Sequence, residues 1–102
     1  MLFLARMDVH FPETMTDARR AEFQAREKEY SGALQRRGVL KGIWRIVGEY
    51  ANHSIFDVDG HDELHAILSG FPMFPYMSVS ITPLATHPNA VTDDFFGTEH
   101  LD

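Results

Sequence analysis

In the segment EFQAREKEY, residues 22–30, a carboxylate stands where a helix would bury its apolar side. At about 100° per residue, Phe23, Glu27, Tyr30 and Leu34 fall on one stripe, and three of these four are core-forming side chains. A carboxylate taken out of water without a partner is costly. Glu27 therefore needs a structural partner, such as an arginine or the Tyr50 phenol, or else a chemical use. Desolvation lifts a carboxyl pKa above its ordinary value and makes the group a better proton acceptor at cellular pH. A general base in a dry pocket is the chemistry this spacing offers.

What Glu27 faces depends on strand parity. Residues 42–51 (GIWRIVGEYA) and 53–59 (HSIFDVD) are rich in β-branched and aromatic side chains and meet at YANHS, the expected hairpin turn. The bulkier alternating set of the first run is Trp44, Ile46, Gly48 and Tyr50; carried across the turn, the same face holds Asn52, Ser54, Phe56 and Val58. Arg45, Glu49, His53 and Asp57 are then expected to point away. Glu27 should look onto Trp44, Tyr50, Asn52, Ser54 and Phe56. That is an apolar wall carrying a phenol, an amide and a hydroxyl, the makeup of a small-molecule pocket.

Other constellations carry less. His61 and His65 are four apart on a helix, but no third ligand stands at a suitable spacing, so a solvated face is expected and no metal site. GVLKG lacks a phosphate-loop pattern and reads as a turn. Ser54 and His53 alternate to opposite faces, which removes serine-based nucleophilic catalysis. FPMFPYM is a rigid proline turn that packs on the core or lines a pocket mouth.

The elements that must position these residues follow from periodicity. Residues 2–9 alternate as a strand, and Pro12 ends it. Thr14 or Thr16 can cap a long helix that runs to about Arg37 before Gly38. After the hairpin, Asp59 is the expected cap of a second helix with Leu64, Ile67 and Leu68 inward and Gly70 as its C′ residue. YMSVSIT alternates as a last strand ending at Pro83. The order βαββαβ folds most simply as an α+β, ferredoxin-like domain: a four-stranded antiparallel sheet with both helices on one face.

A chain of 102 residues suits one domain that gains from oligomerisation. Its hydrophobic content of 44% fits a globular fold, and a net charge of −6 gives no basic surface for nucleic acid or anionic membrane. Without cysteine, chemistry must come from oxygen and nitrogen groups. MLFLA is cut short by Arg6 and Asp8 and is no signal sequence or span, so a cytoplasmic protein is expected. The catalytic domain is expected over 1–91. An acidic tail, 92–102, follows, with Phe95, Phe96 and Leu101 as its only anchors.

The runs EKE (27–29), LQRRG (34–38), IWRIVGEYANHSIFDV (43–58), DELH (62–65) and FPMFPYM (71–77) together resemble the muconolactone delta-isomerase family, over residues 1 to about 91. The resemblance implies a ferredoxin-like fold of the dimeric α+β barrel type and a decamer built from dimers. It also implies conversion of muconolactone to 3-oxoadipate enol-lactone, in the 3-oxoadipate pathway of aromatic degradation, without a cofactor. Glu27 matches the family's proposed catalytic acid, while His53 lies outside the motif. One base can take the proton from C4 of the lactone and return one at C2, through a dienolate whose oxyanion needs donors. Glu27 is the expected shuttle and Tyr50 and Asn52 the expected catalytic donors, with Ser54 beside them. Trp44 and Phe56 are expected to pack the ring. Lys28, or an arginine of a neighbouring subunit, is the expected cation for the acetate arm. Two alternatives stand beside this: dehalogenation of chloromuconolactone in the same pocket, and a non-enzymatic ligand-binding module on the same fold.

Overall fold

The computed structural model describes residues 1–92. Its elements are β1 (Leu2–Val9), α1 (Asp17–Arg36), β2 (Leu40–Arg45), β3 (Ala51–Asp57), α2 (His61–Ser69), a 3₁₀ turn (Phe74–Tyr76) and β4 (Met77–Leu84). The strands form one antiparallel sheet in the order β2-β3-β1-β4. Phe3, Ala5 and Met7 of β1, Leu34 of α1, and Leu64, Ile67 and Leu68 of α2 belong to one buried cluster, which puts both helices on one face. The expected α+β ferredoxin-like arrangement is the observed one. Among the described residues, no helix is long and apolar enough to cross a membrane. The expected tail, from residue 93 on, and its anchors Phe95, Phe96 and Leu101 lie outside the described residues.

The long helix begins where Thr16 accepts from the Arg19 N–H at 3.1 Å, which selects Thr16 over Thr14 as the cap. It ends in a Schellman arrangement: Gly38 takes φ +75, and the Val39 N–H bonds the Leu34 carbonyl at 3.0 Å. The second helix differs from expectation at both ends. Gly60, not Asp59, is its N-cap, and the Asp59 N–H instead donates to Glu63 at 2.8 Å. Gly70 is the C-cap in a right-handed conformation rather than a left-handed C′. A Cβ there would strike the Tyr30 hydroxyl, which donates to the Ile67 carbonyl at 2.8 Å and ties α1 to α2.

The hairpin also differs. Its turn is at Ile46–Glu49, closed by the Glu49 N–H to the Ile46 carbonyl at 3.1 Å, with Gly48 at φ +83. YANHS is not the turn; Ala51 already belongs to β3.

The largest departure lies within β2. Leu40 stands opposite Phe56 and Gly42 opposite Ile55, so Lys41 is one extra residue on β2, a β-bulge. Directly opposed residues share a face, and beyond the bulge Ile43 opposes Ser54, Trp44 opposes His53 and Arg45 opposes Asn52. The expected parity holds on β3, where Asn52, Ser54 and Phe56 oppose Met7, Ala5 and Phe3 of β1. On β2 it is inverted.

Candidate active site

Phe23 and Leu34 of the α1 stripe are buried, Tyr30 is part-buried, and Glu27 between them is half-buried. Neither structural partner foreseen for Glu27 is present: among the described residues it pairs with no arginine and does not bond Tyr50. Its Oε1 accepts instead from the Met73 backbone N–H at 3.1 Å. The proline turn explains why that donor is available. Pro72 and Pro75 have no N–H, while those of Phe71, Phe74, Tyr76 and Met77 bond the carbonyls of Leu68, Phe71, Met73 and Phe74. The Met73 N–H goes instead to a side chain on α1. Burial pushes the Glu27 carboxyl above the ordinary carboxylate range, and the Met73 N–H offsets that rise only in part.

Glu27 opens into a cavity of about 330 Å³ between α1, the hairpin and the proline turn. From α1 come Gln24, Glu27, Lys28 and Ser31; from the hairpin come Ile43, Arg45, Tyr50 and Asn52. Met73 and Met77 complete the apolar side. Phe11 and Tyr76 pack on Phe23 at ring separations of 6.1 and 5.4 Å and close the end of the layer beyond it.

Two donors face this space in defined states. The buried Ser54 hydroxyl donates to Asn52 Oδ1 at 2.7 Å, which leaves the Asn52 Nδ2 amide as the group offered to the cavity. Gln24 Nε2 donates to the Tyr50 hydroxyl at 3.0 Å, so the phenolic proton is free to be given elsewhere.

Of the residues singled out in the sequence, Glu27, Lys28, Tyr50 and Asn52 line the cavity together. Ser54 does not reach it but holds Asn52 from below. Phe56 is 0% exposed and packs edge-on against Phe71 at 6.4 Å, so it belongs to the core rather than to a ring-binding wall. Trp44 was expected to pack a ligand; the bulge at Lys41 turns it to the opposite face, where its indole fills the space beside Gly42 and half of it is exposed. Arg45, expected to point away, takes the cavity position instead. His53 stays on the far face opposite Trp44 and Arg6. Sequence reasoning missed Met73, Gln24 and Arg45. The two prolines around Met73 signalled a scarce N–H, and Gln24 sits one turn before Glu27, whereas nothing in GVLKGIW announces the bulge.

The fold and cavity define a ferredoxin-like domain with a half-buried carboxylate of raised pKa and hydrogen-bond donors around one cavity. The family model described as muconolactone delta-isomerase matches residues 1–90. Muconolactone Delta-isomerase of Cupriavidus pinatubonensis is 54% identical over 91 residues, covering 89% of this chain and 99% of that protein. Muconolactone Delta-isomerase 1 of Acinetobacter lwoffii is 54% identical over 94 residues, covering 92% and 98%. A crystal structure of muconolactone isomerase superposes with a TM-score of 0.87 at 41% identity, covering 92% of this chain and 98% of its own. The chain belongs to the muconolactone delta-isomerase family.

Proposed function

We infer that the chain is an enzyme that isomerises muconolactone in the degradation of aromatic compounds, and that Glu27 carries the proton. The observation behind this is a half-buried carboxylate, raised in proton affinity, whose one hydrogen-bond partner among the described residues is a backbone N–H. Such a group keeps lone pairs for a substrate and is not tied up in an ion pair.

In the proposed reaction, the ionised Glu27 removes the proton from C4, and the C–H electron pair moves into the ring. The C2=C3 bond shifts to C3=C4 as the lactone carbonyl becomes an oxyanion. Glu27, now protonated, returns that proton at C2, the carbonyl re-forms, and no atom is gained or lost. The dienolate is formally a 2-oxyfuran anion, so the enzyme has mainly to hold a base and steady one oxyanion. Asn52 Nδ2, oriented by Ser54, and the Tyr50 hydroxyl, oriented by Gln24, are suited to that charge. Met73 and Met77 supply the apolar wall that Trp44 and Phe56 do not. Lys28 at the cavity places a positive charge within reach of the acetate arm. The proposal includes a cytoplasmic homo-oligomer, a decamer built from dimers.

The test is to mix purified protein with muconolactone, with no added cofactor, and follow the lactone by ultraviolet absorbance while product is assigned by NMR. Conversion to the enol-lactone is expected. An unchanged spectrum at micromolar enzyme over hours sinks the reading.

A further inference from the structure

Arg45 and Lys28 stand on different walls of the cavity, one on β2 and the other on α1. Among the described residues the ion pairs are those of Met1, Arg6, Arg19 and Arg20. Neither cavity cation is in one, and neither comes within ion-pair distance of Glu27. Glu49 and Asp8 are taken by Arg6, at 2.7 and 3.0 Å. Two cations that pair with no carboxylate among the described residues, beside a cavity that Glu27 lines, are suited to a carboxylate from outside.

The two differ in how well they are prepared for it. The Arg45 guanidinium lies 5.1 Å from the centre of the Tyr50 ring, and Tyr50 is in turn held by Gln24 and packed on Phe11. That cation–π contact holds the guanidinium beside the cavity, and paired N–H groups of a guanidinium match the two oxygens of a carboxylate. Both side chains are exposed, but Lys28 is a point charge on a flexible stem, without that geometry.

We propose that Arg45 is the residue that recognises the free carboxylate of the substrate, and that the bulge at Lys41, by turning Arg45 inward, gives the cavity its preference for lactones bearing an acid arm. The proposal rests on the isomerase reading above and adds the determinant of its substrate class. Separation is part of how it works. A cation against Glu27 would stabilise the carboxylate and blunt its basicity, whereas a guanidinium on the facing wall binds the acid arm and leaves the base with its raised proton affinity. Lys28 adds charge at the same mouth and is secondary.

The experiment compares muconolactone with its methyl ester in wild type, Arg45→Gln and Arg45→Lys. Arg45→Gln is expected to raise KM for the acid about 30-fold and to lower the acid-over-ester preference by a similar factor, the scale of a lost charge-assisted pair. Arg45→Lys is expected to recover part of that preference but not all of it, since an ammonium cannot pair in two places. Equal losses on acid and ester would mean that Arg45 merely steadies Tyr50, and would overturn the proposal. So would an unchanged preference in Arg45→Gln alongside a lost one in Lys28→Gln. Calorimetric titration of the acid lactone into Glu27→Gln, with and without Arg45→Gln, reads binding without turnover. There a tenfold or greater weakening is expected, and equal affinities refute the role. A wild type inert toward muconolactone defeats the isomerase reading, whereas turnover without acid-over-ester preference defeats only the role of Arg45.

Discussion

Where β1 begins, Phe3 and Phe56 lie side by side across β1 and β3, and Leu64, Leu68 and Phe71 are buried with them; where β1 ends, Val9 and Asn52 lie on the same sheet face beneath Gln24, Glu27 and Lys28 and enclose space. One sheet face thus floors both a packed core and an open cavity. Helix length and side-chain choice make the difference. The nine residues of α2 reach only about 14 Å, half the span of the 20-residue α1, so beyond α2 the roof is α1 and the proline turn. Over the packed half α1 presents Tyr30 and Leu34; over the other half it presents Gln24, Glu27, Lys28 and Ser31. Polar side chains there forgo burial and leave room for a substrate. Stability should therefore reside in one half and chemistry in the other.

The sharpest test of that division is Phe56→Ala. It opens a hole in the packed half and is expected to cost about 3–5 kcal/mol in urea unfolding, a large share of a small domain's stability. A loss below about 1 kcal/mol would mean that Phe56 faces usable space after all.

Glu27→Gln is expected to do the reverse. It keeps an oxygen for the Met73 N–H but cannot take a proton, so kcat should fall about 10²- to 10⁴-fold. Because burial raises the folded-state pKa of Glu27, the folded chain binds this proton more tightly than the unfolded one, and ionised Glu27 weakens the fold above that pKa. The variant should accordingly melt higher than wild type at pH 8, the gap closing as pH falls to the ordinary carboxylate range. Wild-type kcat/KM should show an acid limb above that range, absent from the variant's residual activity. A variant with half the wild-type kcat would return Glu27 to a structural role.

Asn52→Ala should lower kcat about 10²-fold with little change in KM, since the bond it gives strengthens as charge develops on the carbonyl oxygen. Ser54→Ala should lower kcat about tenfold by releasing the Asn52 amide; an equal effect on KM and kcat would show a lost binding contact instead. Smallest of all, His53→Ala is expected to change kcat less than about threefold, because it lies on the opposite face. If His53→Ala were the crippled variant and Asn52→Ala near wild type, the facing of β3 would be misread and the division with it.

Much of this layout is legible in local pattern. Alternation gave β1 and β4, and the Glu27 stripe marked which side of α1 looks inward. Parity on β3 held because its partner strand, β1, runs beside it without interruption from Leu2 to Asp8. Parity on β2 failed because a single unpaired residue reverses every side chain beyond it, and its energetic cause lies in packing across the sheet rather than in the composition of GVLKGIW. The turn was misplaced for a related reason: Gly48 supplies the positive φ, but the aromatic and β-branched residues around it read as continuous strand. The Glu27–Met73 bond joins residues 46 apart in the chain, and no local pattern reports such a distance. Scarcity of N–H groups in FPMFPY was the nearest available sign.

The bulge at Lys41 also bears on how such a chain can change. Deleting that one codon would leave Leu40 opposite Phe56 and Arg45 opposite Asn52 in an unbroken ladder, with the Arg45 guanidinium still at the cavity and the Trp44 indole still on the far face. The outermost strand can thereby lose a residue in a single evolutionary step without exchanging its cationic reader for an aromatic one, and Glu27, Asn52 and Tyr50 stay in place.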